Sequence, residues 1–93
     1  MSITNNEIAD VFIDIAARLK MKKENVFKIR AYEKAAGFSM DWPASIEQLA
    51  TEDRLREVQG VGEAIEKKIN ELVTTGRLEF YEKLKSETTG VKK

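Results

Sequence analysis

Apolar side chains at Ile8, Val11, Phe12, Ile15 and Leu19 follow the spacing i, i+3, i+4, i+7 and i+11, which lays one stripe along an α-helix. The same period returns at Ile65, Ile69, Leu72 and Val73. No segment alternates convincingly at the period of two that a half-buried strand requires. An all-α chain is therefore expected, a compact bundle of four to five short helices. At 93 residues it has the length of one small domain with one core.

Local signals divide the chain. Thr4 followed by Glu7 is a capping box, so the first helix is expected from about Asn5 to Leu19, ending near Met21-Lys22-Lys23. Asn25 can cap a second helix carrying Phe27, Ile29, Ala31, Tyr32, Ala35 and Phe38, and Pro43 lies beyond its end. Gly37 inside it predicts a bend or a close helix crossing. Ser45 with Gln48 starts a short third piece holding Ile46 and Leu49, and Thr51-Glu52-Asp53 starts another with Leu55 and Val58 inward. After Gln59-Gly60-Val61-Gly62 comes the helix of Ile65, Ile69, Leu72 and Val73, with Gly76 at its C′ position. Leu78, Tyr81 and Leu84 suggest a last short helix. The expected structured part is about 5–85, with 87–93 a flexible tail.

Composition narrows the chemistry. There is no histidine and no cysteine, which excludes disulfides, thiolate zinc sites and nucleophiles activated by histidine. The 16 basic and 16 acidic residues give a formal net charge of zero, so a nucleic-acid site must be a local patch. No apolar run reaches a membrane span, and the start Met1-Ser2-Ile3-Thr4-Asn5-Asn6 lacks signal-peptide architecture. A cytoplasmic, nucleoid-associated protein with no membrane partner is expected.

The pattern Leu55-x-x-Val58-x-Gly60-Val61-Gly62-x-x-Ile65-x-x-x-Ile69 reads as two short helices joined by a tight turn, a helix–hairpin–helix. The glycines allow backbone angles and a close approach that a Cβ would block. Val61 between them points inward. Gly62 and the next amides then sit at a helix N-terminus, where free N–H groups and the dipole favour an anion. A DNA phosphate contacted without base specificity is the anion that suits this layout. A dinucleotide fingerprint fails, because Ile65 holds the third glycine position and no strand precedes the turn. The plainer alternative is that Gly60 and Gly62 only end one helix and start another.

On a helical wheel Lys67 points away from the apolar stripe, whereas Lys68 lies at its edge, one turn after Ala64 and one before Leu72. An ammonium at such an edge loses hydration, and its pKa falls. The neutral amine can then form a Schiff base with an aldehyde. The alternative is a stem packed on the helix with a hydrated head. On the second helix Lys28, Ala31, Tyr32 and Ala35 share one side, while Arg30 and Lys34 flank Glu33 on another. Lys28 can meet a terminal phosphate and Tyr32 can position its sugar; alternatively Tyr32 is a half-buried core aromatic.

Three ordered segments, Asn25-Val26-Phe27-Lys28-Ile29-Arg30-Ala31-Tyr32-Glu33-Lys34-Ala35-Ala36, Val58 through Ile69, and Thr75-Gly76-Arg77-Leu78, together resemble the N-terminal domain of family X DNA polymerases, the bacterial and archaeal members above all. The resemblance runs from about Glu7 to Lys85. It implies a compact four-helix unit that grips DNA downstream of a gap or nick, and in eukaryotic repair members a 5′-deoxyribose-phosphate lyase. By this resemblance the nucleophilic lysine falls on Lys68, and the 5′-phosphate lysine and its tyrosine fall on Lys28 and Tyr32. Backbone carbonyls of Arg56, Val58 and Val61 would hold a Na+ or K+ ion against DNA. Where lyase members have further cations this chain has Ala64 and Phe80, and Gln59 replaces a common proline. The family's polymerase carboxylates lie outside this domain, so no polymerase activity is expected of it alone.

The expected function is a sequence-independent module for gapped, nicked or single-strand-containing DNA in base-excision repair, contacting it through Lys28, Tyr32, Lys34, Gly60, Val61, Gly62, Lys67 and Lys68. No cofactor is required, a Na+ or K+ ion being able to sit at the hairpin when DNA is bound, and a polymerase or other repair domain is the expected protein partner. The alternatives are a Schiff-base lyase acting through Lys68, or a DNA-free protein-interaction bundle with Leu78, Phe80, Tyr81 and Trp42 forming an exposed apolar patch.

Overall fold

A computed structural model describes residues 3–58 and 61–89. Five α-helices follow one another: α1 (Asn5–Met21), α2 (Val26–Asp41), α3 (Ile46–Thr51), α4 (Glu63–Thr75) and α5 (Glu79–Thr89), with a single 3₁₀ turn at Leu55–Glu57 before α4. No strand occurs among the described residues, and no helix is long and apolar enough to cross a membrane.

The start of α1 is the expected capping box. Glu7 N–H donates to Thr4 Oγ1 at 3.1 Å, and Thr4 N–H donates to Glu7 Oε1 at 2.8 Å. Its stripe Ile8, Phe12, Ile15 and Leu19 is buried, with Ala9 and Ala16 beside it. The small alanines let α2 pack closely along α1, and α2 contributes Ile29, Tyr32, Ala35 and Ala36 to the same core. Ser39 is also buried there, its hydroxyl donating to the Ala35 carbonyl at 2.8 Å, which satisfies a donor otherwise costly to bury.

Several expectations change. Phe27 lies outside the inner stripe of α2 and is 75% exposed, because Ile29 and Tyr32 define the buried side. Gly37 makes no close crossing; a Cβ there would meet nothing within 4 Å. Thr51-Glu52-Asp53 ends α3 rather than starting a helix, since Asp53 takes a left-handed φ of 59°, and only one 3₁₀ turn fits before Val58. The chain beyond Leu84 is not frayed at 87–89. Helix α5 continues to Thr89, Thr88 is buried, and Glu87 pairs with Lys22 at 2.5 Å; residues 90–93 lie outside the described residues. Nor do Leu78, Phe80, Tyr81 and Trp42 make an exposed patch: Leu78 is in the core and the other three pack against it.

Two tertiary devices were not visible as patterns. Asn5 ties α1 to the α2–α3 connection, donating from Nδ2 to the Ala44 carbonyl at 2.7 Å and accepting the Ile46 N–H at 2.9 Å. Across α1 and α5, Asp14 accepts from Arg18 Nε at 3.0 Å and from the Tyr81 hydroxyl, and Arg18 Nη1 donates to Thr88 Oγ1 at 2.6 Å. Burial works to raise the Asp14 pKa, but the Tyr81 and Arg18 hydrogen bonds outweigh it and hold the carboxyl low.

Candidate nucleic-acid interface

The turn before α4 has two distinct faces. Inward, Val58 and Val61 are buried, and the Val61 N–H donates to the Val58 carbonyl at 3.2 Å; Val61 anchors the turn as its place between two glycines suggested. Outward, Gly62 is the N-cap of α4, with no side-chain cap on the first turn. Its φ of −94° is ordinary for any residue, and a Cβ would meet no atom within 4 Å. The expectation that backbone angles require glycine here is therefore corrected: the chain's own packing does not demand it, and the space beside it is open. Gly60 and Gln59 lie outside the described residues.

Two carboxylates stand in that first turn, each beside a cation. Glu63 Oε2 is 3.6 Å from Lys67 Nζ, and Glu66 Oε1 is 3.5 Å from Arg56 Nη1. The turn is thus locally balanced in charge, and α4's uncapped amides carry the remaining attraction for an anion. Lys67 points into solvent, with 74% of its side chain exposed. Lys34 sits apart, in a shallow groove with Phe27, Arg30 and Glu33.

Lys68 differs from both. About one and a half turns along α4, its Nζ lies 4.8 Å from the centre of the Phe80 ring and 6.0 Å from that of Tyr32, within range of both π faces. Phe80 and Tyr32 are stacked, with centroids 5.9 Å apart and planes at 11°, and Tyr32 also packs on Phe12. Burial draws the Lys68 pKa down, Glu71 nearby opposes the change, and the charge of Lys28 adds to it. Burial also pushes the Tyr32 hydroxyl up to about 12, so at neutral pH it stays a neutral hydrogen-bonding group.

Folding thus gathers Lys28, Tyr32 and Lys68 from α2 and α4, while Lys67 and Lys34 face elsewhere. Sequence reasoning missed the contacts of Phe80 with Lys68 and Tyr32, since it registered Phe80 as a lost cation and as part of an exposed apolar patch. It also missed Glu71, whose Oε2 accepts the Glu79 N–H at 2.8 Å and so caps α5. An i, i+4 reading of Phe80 with Leu84 would have marked that face of α5, though not its partner on α2.

The model of the helix-hairpin-helix domain family matches residues 3–78, which takes in α1 through α4 and the turn between α4 and α5. The chain belongs to that family, whose domains are in general DNA-binding units.

Proposed function

We propose that this helix–hairpin–helix domain binds DNA without regard to sequence and recognises gapped or nicked duplex with its 5′-phosphate in base-excision repair, alongside a polymerase or other repair domain. The observation that carries the reading is the convergence of Lys68, Lys28 and Tyr32 around the Phe80 ring. Ammonium groups and backbone amides meet phosphates rather than base edges, so such contacts position a strand without reading it. The open space at Gly62 supports a close approach of the sugar–phosphate chain to the α4 amides. A Na+ or K+ ion on the carbonyls of Arg56, Val58 and Val61 would add positive charge there; the Val58 carbonyl already accepts one N–H and keeps a second lone pair for it.

Fluorescence anisotropy with a one-nucleotide-gapped duplex tests this reading. Two or three phosphate contacts give a log K against log[salt] slope of roughly −2 to −3. Equal affinity for intact duplex, or binding insensitive to salt, would overturn it.

A second reading, lyase activity, is favoured by the desolvation of Lys68. The neutral Nζ attacks C1′ of an abasic aldehyde and loses water to form an imine. Removal of a C2′ proton then breaks the C3′–O bond, and water releases the lysine. Borohydride should trap the imine on incised abasic DNA, and the adduct should vanish in Lys68→Ala. An adduct that survives that change excludes Lys68 as the nucleophile.

A further inference from the structure

We infer that the outer face of α1 and α2 packs against the same face of a second copy of this chain. The association needs no DNA. Lys20 Nζ lies 2.9 Å from Glu33 Oε2, and Ala17 and Ala36 line one groove with that pair, so numbers fall along α1 as they rise along α2. The groove, of about 400 Å³, is floored by Ala16, Ala17 and Ala36, and Ile13 stands at the end away from the ion pair. Ile13 and Met40 are 48% and 58% exposed, two large apolar side chains with no cover from the rest of the fold. Gly37, one turn after Glu33, is exposed as well, and a Cβ there would meet nothing within 4 Å. A glycine inside a helix costs stability against alanine, and nothing within the chain uses the space it leaves. Gly37 lies about two and a half turns beyond Lys28, so this face looks away from the candidate DNA interface.

The order of features along the face selects a second copy as its occupant. Asp10 and Asp41 are exposed at one end, and Lys20 and Arg30 are exposed at the other. Glu33 answers Lys20 alone; Asp10, Arg30 and Asp41 take part in no ion pair among the described residues. The large side chains, Ile13 and Met40, stand toward the acidic end, and the small ones, Ala17 and Ala36, toward the basic end. A two-fold axis crossing α1 midway between Ile13 and Ala17 therefore sets opposites together. At 1.5 Å per residue, Ile13 and Ala17 lie about 3 Å to either side of that axis, and Asp10 and Lys20 about 7.5 Å. Ile13 of each copy then enters the groove at Ala17 of the other, and Asp10 meets the partner copy's basic end. On α2 the same axis brings Met40 to Ala36 and passes close to Gly37, where the missing side chain lets backbones approach. Such a contact is isologous, each copy offering one self-complementary patch.

Sedimentation equilibrium over a concentration series, without DNA, tests the pairing. A patch smaller than a standard interface associates weakly, so half-dimerisation is expected near about 100 μM, with the mass rising from 10.6 kDa toward twice that value. Asp10→Lys and Lys20→Asp should each weaken the dimer about tenfold, because each sets like charges against one another twice. An equimolar mixture of these two variants should recover the lost affinity, since both pairs are restored in the mixed dimer. Pairing Asp10→Lys with Lys83→Asp, the same charge change on α5, should do no better than pairing it with the unaltered chain. Gly37→Gln should raise the urea midpoint, as helix propensity dictates, and yet remove the dimer. A chain that stays monomeric at about 1 mM overturns the proposal and leaves the face to a different protein. A dimer that all three variants leave intact, or a mixture no tighter than its components, overturns it too.

Discussion

The ring of Phe80 lies flat on that of Tyr32, centroids 5.9 Å apart, with the Lys68 ammonium over the Phe80 face at 4.8 Å. Helix α5 thereby covers a lysine of α4 with an aromatic group, and the cover has measurable consequences. Phe80→Ala should cost about 2 kcal/mol, less than the loss of a fully buried ring because Phe80 is only partly buried. It should also return the Lys68 pKa toward its ordinary value, since burial is the main cause of the depression. Denaturant unfolding and NMR titration of the Lys68 side chain check the two effects separately.

At Gly62 stability and binding should part company. Gly62→Ser supplies the N-cap hydroxyl that α4 lacks, so stability should hold or rise by a few tenths of a kcal/mol, about 0.3. That hydroxyl takes the amides offered to a phosphate, and its side chain fills the open space. DNA affinity should fall by about tenfold. Thermal unfolding and anisotropy of the same variant provide the comparison.

Stability should decline at both ends of the pH scale. Asp14 has a folded pKa below its unfolded value: burial alone would raise it, but Tyr81 and Arg18 prevail. Its contribution is present above the ordinary carboxylate range and is lost as pH falls through the lowered folded value. Burial raises both Tyr32 and Tyr81 to about 12, with the Asp14 hydrogen bond adding to the second. Their contribution is full below the unfolded value near 10 and is lost as pH rises through 12. Urea midpoints across pH should show both limbs, with Asp14→Asn flattening the acid one and Tyr32→Phe weakening the alkaline one.

Asn5 joins elements distant in sequence through its bonds to Ala44 and Ile46. Asn5→Ala should lower stability by about 2 kcal/mol, because the Ile46 N–H is left without its acceptor in a part-buried site. Asn5→Asp keeps that acceptor and should recover part of the loss. The urea midpoint of each variant measures this.

Much of the fold could be read from local spacing. The Thr4–Glu7 box, the Asn25 and Ser45 caps, the α1 stripe and the left-handed Gly76 all act within one or two turns. Their physics is contained in a few neighbouring residues, and so is the inward side chain of Val61. Apart from the local left-handed turn at Asp53, the clearest failures came where a residue's surroundings are set by distant parts of the chain. Gly37 looked like a crossing point, and Thr88 looked like tail. Nothing near either residue records which helix passes by, nor that Arg18 reaches Thr88.

The candidate site divides in the same way. Periodicity alone put Lys68 at the edge of an apolar face and Lys67 outside it, since a helix's angular step depends only on residue number. It also put Lys28 and Tyr32 on one side of α2. That these two sides meet and that Phe80 roofs Lys68 depend on how α2, α4 and α5 pack. Packing is settled by the burial of all the helices against one another at once. Local sequence chose the faces, and only the tertiary fold decided which charges would be neighbours.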